Sequence, residues 1–234
     1  MQLFYTPGTI GETYKLSEEE SKHCIRVLRM QAGNTVYLTQ GGGELCKAEL
    51  ADANPRGCML RVVERFADYN KRNYSLHVAM APTKNIDRFE WFLEKATEIG
   101  IDEITPLICS RSERKTINAD RLERVIVAAM KQSIKAYKPL LHPQVSFDTF
   151  VKSRNQLSKK YIAHCQEGFK QNFRKLLVPN SESLVLIGPE GDFSPEEAGF
   201  ATAAGYVPVS LGQERLRTET AGVFVCSAFS LIHQ

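Results

Sequence analysis

The sequence predicts an α/β protein in which a small β-barrel precedes a parallel α/β sheet. Short apolar strands with frequent turn residues fill the first seventy positions. From Tyr74 onward, short apolar strands alternate with helical patterns, an arrangement typical of a parallel sheet. The polar stretch Asp68–Asn73 between these two patterns is predicted to be a linker. We therefore expect one domain over residues 1–70 and a second over residues 74–234.

The first domain is predicted to contain three clear strands and one helix. The strands are Thr35–Thr39, Leu45–Leu50 and Cys58–Glu64. Glycines 41–43 and the Asn54–Gly57 turn separate these strands. The helix is expected over Ser17–Met30, with Ser17 as the N-cap and Glu20 placed to complete a capping box. Short strands with close turns favour a small β-barrel.

The second domain is predicted to contain five strands and four helices. The strands are Tyr74–Met80, Ile104–Cys109, Tyr161–Cys165, Leu184–Ile187 and Val207–Leu211. The helices cover Asp87–Ile99, Asn118 to Ala136, a segment from Ser194, and Glu219–His233. Asp87, Asn118 and Ser194 are the expected N-caps, and Ser194 precedes a first-position proline and a capping-box glutamate.

Composition restricts the class of protein. The chain is 43% hydrophobic and 24% charged, as is usual for a protein with a buried core. It has no apolar run of membrane-spanning length, and its N-terminus lacks a secretory pattern, which points to the cytoplasm. The six cysteines have no metal-binding or disulfide spacing, so they are expected to be buried free thiols, and no metal site is expected.

Charge is unevenly distributed along the chain. Residues 71–161 contain 17 Lys and Arg against 10 Asp and Glu, whereas the net charge of the whole protein is only +3. A basic middle segment favours a localised anionic partner, such as the phosphates of RNA or DNA. A solvated helix face explains the charge equally well.

Two loops carry the pattern of a ligand site. Gly188-Pro189-Glu190-Gly191 follows an apolar strand, and ligands of open α/β sheets lie at the carboxyl ends of strands. The loop is neither a dinucleotide fingerprint nor a P-loop, and Glu190 would repel phosphate, so a cofactor without phosphates fits better. Leu211–Ala221 also follows a strand and opens a helix. There Arg217 and Glu219 form either a functional pair or a plain cap interaction.

Taken together, these motifs resemble the RsmE family of bacterial methyltransferases, which act on N3 of a uridine in 16S ribosomal RNA. The resemblance extends over essentially the whole chain. It is carried by both loops, by Glu94–Gly100 in the first helix of the second domain, by Arg111 and Arg114 in a basic loop, and by His23 with Arg26-Val27-Leu28-Arg29.

The resemblance implies a PUA-like β-barrel followed by a SPOUT α/β domain whose C-terminal segment forms a deep trefoil knot. It also implies S-adenosyl-L-methionine as cofactor, the small ribosomal subunit as partner, and a homodimer formed through the C-terminal helix. The implied cofactor-binding residues are Leu186, Gly188, Pro189, Glu190, Gly191, Leu211, Gly212, Leu216, Arg217, Thr218, Thr220 and Ala221. The implied RNA-binding residues are His23, Arg26, Arg29, Arg111 and Arg114.

For the methyl transfer itself, we expect Arg217 to stabilise negative charge on the uracil, while Glu219 or solvent takes the N3 proton. Two positions depart from the family pattern, Lys135 in place of arginine and Asp192 in place of a second glycine. Two other functions remain open: a non-catalytic RNA-binding or ribosome-assembly factor, and a knotted methyltransferase acting on another RNA. A nucleotide-binding oxidoreductase is disfavoured because the glycine fingerprint is missing.

Overall fold

A computed structural model describes residues 1–153 and 159–232 of the chain. They divide into two compact units, unit 1 with Met1–Lys71 and Val127–Lys138, and unit 2 with the remaining residues. The segment Val127–Lys138 lies within the predicted second domain but packs with unit 1. Its Ala136 is buried with Leu3 and Leu45. None of the helices in the described part of the chain is long and apolar enough to cross a membrane.

Unit 1 is a five-stranded sheet with one short helix. Its elements are β1 (Leu3–Tyr5), β2 (Thr13–Lys15), α1 (Glu18–Lys22), β3 (Thr35–Thr39), β4 (Leu45–Asp52) and β5 (Met59–Phe66). The strand order is β1-β3-β4-β5-β2, with β1 parallel to β3 and the other pairs antiparallel. The three predicted strands are therefore present. Their buried side chains form one core with, among others, Phe4, Leu16, Val36, Leu38, Leu50 and Leu60.

The helix predicted over Ser17–Met30 is wrong in its extent. Ser17 caps α1 by accepting a hydrogen bond from the Glu20 amide (3.2 Å), but α1 ends at Lys22 and a π-helical turn follows over His23–Val27. Arg29 then adopts a left-handed conformation (φ 55°), and Met30 bonds back to Cys24. A left-handed residue ends a helix, and sequence propensity does not reveal where that occurs.

Unit 2 is built on a parallel sheet, as predicted. Its strands are β6 (Ser75–Met80), β7 (Glu103–Ile108), β8 (Leu140–Leu141), β9 (Val145–Ser146), β10 (Lys160–Ala163), β11 (Gln171–Asn172), β12 (Glu182–Ile187) and β13 (Val207–Ser210). The order is β11-β13-β10-β12-β6-β7-β8, with β9 also pairing with β7, and the pairings are parallel. The short strands β8, β9 and β11 were not predicted.

Helices cover the two faces of this sheet. They are α2 (Ile86–Ile99), α3 (Ala119–Gln132), α4 (Phe147–Ser153), α5 (Phe173–Leu176), α6 (Pro195–Ala203) and α7 (Thr218–Ile232). The alternation predicted for β6 is observed: Leu76, Val78 and Met80 belong to one core with residues of α2 and α7, and Ala79 belongs to a second core with residues of α4 and α6. A strand buried on both faces is typical of a parallel sheet.

Two of the predicted helix boundaries differ clearly in the structure. The N-cap of α2 is Asn85, whose side chain accepts from the Asp87 amide, so Asp87 lies inside the first turn. Helix α3 stops at Gln132, four residues early, and the left-handed Ile134 (φ 55°) follows it. The last helix is described as far as Ile232, and the predicted end at His233 lies outside the described residues. The capping box at Ser194 is confirmed.

Helix α7 approaches the sheet and α2 closely at Gly222. A Cβ atom there would lie 2.6 Å from the Phe92 ring and 3.1 Å from the Met80 sulfur. Both neighbours are fully buried, and protein interiors are close-packed, so neither can shift cheaply. The absence of a side chain at Gly222 therefore sets how closely α7 packs on α2.

We expect Gly222→Val to lower the free energy of unfolding by about 1–3 kcal/mol, because the new side chain overpacks a closed core. Gly199→Val in α6 is the matched control, since a Cβ there meets nothing within 4 Å. It should change stability by less than about 0.5 kcal/mol. Urea denaturation followed by circular dichroism measures both, and equal effects would contradict the packing argument.

Candidate functional site

A cleft of about 940 Å³ lies at the carboxyl ends of three neighbouring strands of unit 2. Its walls are the loops that follow β10, β12 and β13, together with the start of α7. This is the edge at which parallel sheets bind ligands, and the volume suits a cofactor of moderate size. The sequence placed two of these loops at a ligand site; the loop after β10 is the third.

The loop after β12 is a tight turn with a close backbone approach at Gly188 and a left-handed residue at Asp192. A Cβ atom on Gly188 would lie 3.0 Å from the Phe193 amide nitrogen, so only glycine fits without displacing the backbone. Asp192 is left-handed (φ 63°), and its amide donates to the Pro189 carbonyl (2.9 Å). Aspartate tolerates this conformation better than most residues, so the departure from glycine leaves the turn intact.

The Asp192 side chain also joins two of the loops. Its Oδ2 accepts a hydrogen bond from the Cys165 amide (2.9 Å), and Oδ1 accepts from the Phe193 amide (2.8 Å). The loop after β10 is held further by Gln166, whose side-chain amide donates to the Phe193 carbonyl (2.8 Å). Glycine at position 192 could not make the bond to Cys165, so the substitution gains an interaction between loops.

The two basic-loop arginines brace the cleft through backbone carbonyls. Arg111 donates to the carbonyls of Gly191 (3.0 Å) and Phe193 (3.3 Å), and it lines the cleft. Arg114 donates to the carbonyls of Thr83 (3.1 Å) and Lys84 (2.8 Å). Both residues therefore position loops, a function that the sequence did not indicate.

Glu197 fixes the start of α6 against the loop after β7. It completes the capping box by accepting from the Ser194 amide (2.9 Å) while its own amide donates to Ser194 Oγ (3.1 Å). The same carboxylate accepts from the Ser110 amide (2.8 Å) and hydroxyl (2.9 Å). A buried carboxylate that accepts three hydrogen bonds is well satisfied, and it connects the basic loop to the start of α6, directly after the turn at residues 188–193.

The two predicted cofactor loops meet through one buried hydrogen bond. The Thr218 hydroxyl, at the first residue of α7, donates to the Gly188 carbonyl (3.2 Å). The first amides of a helix have no acceptor within the helix and can bind a ligand. Since Thr218 and Ala221 both line the cleft, this helix start faces the cavity.

Most of the predicted cofactor-binding residues line the cleft. They are Gly188, Pro189, Glu190, Gly191, Leu211, Gly212, Leu216, Arg217, Thr218 and Ala221. Leu186 is buried inside β12 and Thr220 is exposed, and neither belongs to the cleft wall. Leu186 faces the core because alternate strand residues point to opposite faces.

The predicted pair Arg217 and Glu219 occupies two different environments. Arg217 is exposed and lines the cleft. Glu219 is 7% exposed, lies outside the cleft wall, and its Oε2 has no hydrogen-bond partner. An unpartnered buried carboxylate oxygen is costly in a folded protein.

Sequence reasoning missed the residues that follow β10, above all His164. This histidine lines the cleft, and its buried Nδ1 has no hydrogen-bond partner. Burial lowers the pKa of His164, nearby Lys170 lowers it further, and Asp192 opposes the shift. The environment of His164 therefore favours the neutral imidazole over the protonated one. Its place at the end of a predicted strand was the one available signal.

The predicted RNA-binding residues of unit 1 lie at the turn after α1. Arg26 and Arg29 are exposed, and His23 is half-buried. Lys135, which stands where the family pattern has arginine, also belongs to unit 1 and is half-buried.

Comparison with known proteins identifies the class. Residues 70–230 match the RNA methyltransferase domain family, and residues 16–63 match the RNA methyltransferase PUA domain. A probable rRNA methyltransferase from Porphyromonas gingivalis has a solved structure that is 38% identical, with a TM-score of 0.93, over 100% of this chain and 98% of that one. Fold and site thus define an RNA methyltransferase with an N-terminal PUA domain.

Further relatives narrow the assignment. A putative methyltransferase from Legionella pneumophila, solved in complex with the cofactor SAM, is 30% identical with a TM-score of 0.87 over 98% of this chain and 97% of that one. The ribosomal RNA small subunit methyltransferase E of Bacillus subtilis is 26% identical over 93% of this chain and 90% of the relative. The chain belongs to the ribosomal RNA small subunit methyltransferase E (RsmE) family.

The cysteines allow a test of the cleft geometry. Five are buried and Cys165, in the cleft wall, is exposed, so the expectation that the thiols are buried is wrong at this position. Burial raises the pKa of Cys24 and Cys46 to about 11 and that of Cys226 to about 12.

Thiolates are the reactive species, so Ellman's reagent should modify one thiol rapidly in the native protein and six after unfolding. Cys165→Ser should remove the rapid phase, and several rapid thiols would contradict this arrangement.

The lowered pKa of His164 predicts a pH dependence of stability. The native state binds this proton less readily than the unfolded state, so stability is lost as the pH falls through the ordinary value of 6.5. The wild type should lose unfolding free energy between pH 7.5 and pH 5.5, and His164→Gln should make this loss smaller. Above pH 7.5 the substitution should leave the pH dependence of stability unchanged. Urea titrations across this range measure it. Parallel curves for variant and wild type would refute the contribution of His164.

Proposed function

We propose that this protein transfers a methyl group from S-adenosyl-L-methionine to N3 of a uridine in the decoding region of 16S ribosomal RNA, acting on the small ribosomal subunit. One observation carries the proposal. The two loops that resemble the family's cofactor loops line a single cleft and are joined by the bond from Thr218 to Gly188. The relative from Legionella, whose structure was solved in complex with SAM, supports the same cofactor.

The cleft fits this cofactor chemically. Ile187, Val209, Leu211 and Leu216 offer apolar surface for the adenine ring, and the free amides at the start of α7 offer donors for the carboxylate. Glu190 and Asp192 would place negative charge in the cleft wall, which suits a cofactor that carries a positively charged sulfonium. When bound, S-adenosylmethionine supplies an electrophilic methyl group on a sulfonium.

Arg217 is the residue that we assign to the reacting base. Its guanidinium, exposed in the cleft wall, would stabilise negative charge on the uracil oxygens as N3 loses its proton. The proton goes to Glu219 or to solvent. Because Glu219 lies outside the cleft wall and keeps one oxygen unpartnered, it would need to reach the cleft in the RNA complex to act as the base.

The RNA is assigned to both predicted domains. Residues 1–70 would bind RNA through His23, Arg26 and Arg29, which is supported by the match to a PUA domain. In residues 74–234, Arg111 and Arg114 would use the donors that remain beyond their bonds to backbone carbonyls. Such phosphate contacts make binding strongly dependent on salt.

Three further features belong to this proposal. The trefoil knot is supported by the likeness to solved methyltransferase structures and by β13 lying beside β10, on the side away from β12. A homodimer through α7 is supported by its half-buried Val223 and Phe224 and by Leu231, which is 71% exposed. Small ribosomal subunits as substrate would place the activity in the cytoplasm.

The decisive experiment measures transfer of labelled methyl groups to unmodified small subunits, with mass spectrometry of the product nucleoside. Arg217→Ala should lower turnover about a hundredfold or more, a much larger loss than its effect on cofactor affinity measured by calorimetry. Arg174→Ala, which removes an arginine outside the cleft, is the matched control.

Each alternative gives a different result in this experiment. Absence of cofactor binding by the wild type would favour a non-catalytic assembly factor. Methylation of transfer RNA in place of subunits would favour a knotted methyltransferase with another substrate. Near-normal turnover of Arg217→Ala would overturn the assigned role while leaving the proposed reaction intact.

A further inference from the structure

A cluster of two histidines and one glutamate lies in unit 2 away from the cleft. His77 is in β6, Glu103 begins β7, and His142 directly follows β8. One ligand atom from each lies within 4.8 Å of the others. Whereas the cleft is at the carboxyl ends of the strands, Glu103 is the first residue of its strand and pairs with His77 in the sheet. His77 lies within β6 and His142 follows the end of β8, so the cluster belongs to β6, β7 and β8, whereas the cleft belongs to the loops after β10, β12 and β13.

We propose that His77, Glu103 and His142 form a structural binding site for one Zn²⁺ ion or a similar first-row divalent cation. Two imidazole nitrogens and one carboxylate oxygen are a donor set that zinc accepts. The sequence did not predict a metal site because its three ligands are far apart in the chain, and only the parallel pairing of β6, β7 and β8 brings them together.

The spacing of the donor atoms is close to that of a zinc site. Zinc–nitrogen bonds of about 2.0–2.1 Å in tetrahedral geometry separate two ligand atoms by roughly 3.3 Å. His77 Nδ1 lies 3.6 Å from Glu103 Oε2, which is near this value. His142 Nε2 lies 2.6 Å from the same oxygen and would have to move outward by under about 1 Å. The side chains of His142 and Glu103 are 23% and 31% exposed, so they have room for this shift.

The His77 ring is held in the orientation that the site requires. Its Nε2 is 2.8 Å from the Thr105 hydroxyl, and a bond donated to that oxygen leaves the Nδ1 lone pair directed toward Glu103. Phe150 packs edge-on against the ring, with centroids 5.6 Å apart and an interplanar angle of 89°. Metal-binding histidines are commonly oriented in this way by a hydrogen bond from the second ring nitrogen.

The backbone also fixes the third ligand. The His142 amide donates to the Ile104 carbonyl (2.8 Å), which continues the pairing of β8 with β7. The partly exposed His142 and Glu103 open the cluster to solvent, whereas His77 is 5% exposed. An ion could enter from that side, and water would complete its coordination. Bound there, it would link three neighbouring strands.

Metal titration of the full-length protein tests the proposal. The chain is stripped with EDTA, dialysed, and titrated with Zn²⁺ in competition with a chromogenic chelator. We expect one Zn²⁺ per chain and a higher melting temperature. Glu103→Gln and His142→Ala should each weaken binding at least tenfold. His23→Ala, which removes a histidine from unit 1, should bind as the wild type does.

Cobalt provides a second measurement that does not depend on any variant folding. Co²⁺ added to the stripped wild-type protein should give the visible absorption bands of a four-coordinate site, and Zn²⁺ should abolish them. Absence of stoichiometric Zn²⁺ binding, absence of these bands, or undiminished binding by both folded ligand variants would overturn the proposal. The cluster would then be a carboxylate, Glu103, that accepts hydrogen bonds from His77 and His142 and binds no metal.

Discussion

The hydrogen bond from Thr218 to the Gly188 carbonyl is the contact on which the site depends. It joins the first residue of α7 to the turn that ends β12, so the two loops that bound the cleft meet at one point. Four residues later, Gly222 brings α7 against Phe92 and Met80, a distance that no side chain at this position would permit. The position of the cleft therefore follows from the way α7 packs on the core. The hydrogen bond from Thr218 fixes the start of α7, and the close approach at Gly222 fixes how tightly α7 packs against the core.

A second layer of hydrogen bonds keeps the surrounding loops in place. Asp192 connects the loop after β10 to the turn after β12, and Glu197 connects the turn to the loop after β7. Arg111 satisfies two carbonyls of the same turn. Buried backbone groups in loops need such partners because no strand or helix pairs them. The charged residues near the cleft thus organise the loops of the protein itself.

Much of the fold could be predicted from the sequence because its signals are local. Strand alternation in β6, the cap and proline of α6, and the strand-to-helix loops each depend on a few adjacent residues. The errors arose where distant contacts decide. Helix α1 gives way to a π-helical turn at His23, well before the left-handed Arg29, and α3 ends at Gln132 within the segment 127–138 that packs with unit 1. Propensity has no information about such contacts.

The sequence by itself determined the parallel α/β class, the family resemblance, and ten of the residues that line the cleft. It could do so because those residues lie in two contiguous loops whose position after strands is visible in the chain. Only the tertiary structure placed His164 and Cys165 in the cleft wall and left Leu186, Thr220 and Glu219 outside it. It alone assembled His77, Glu103 and His142. The physical reason is that side-chain direction and strand order are set by packing of the whole sheet, which no local pattern encodes.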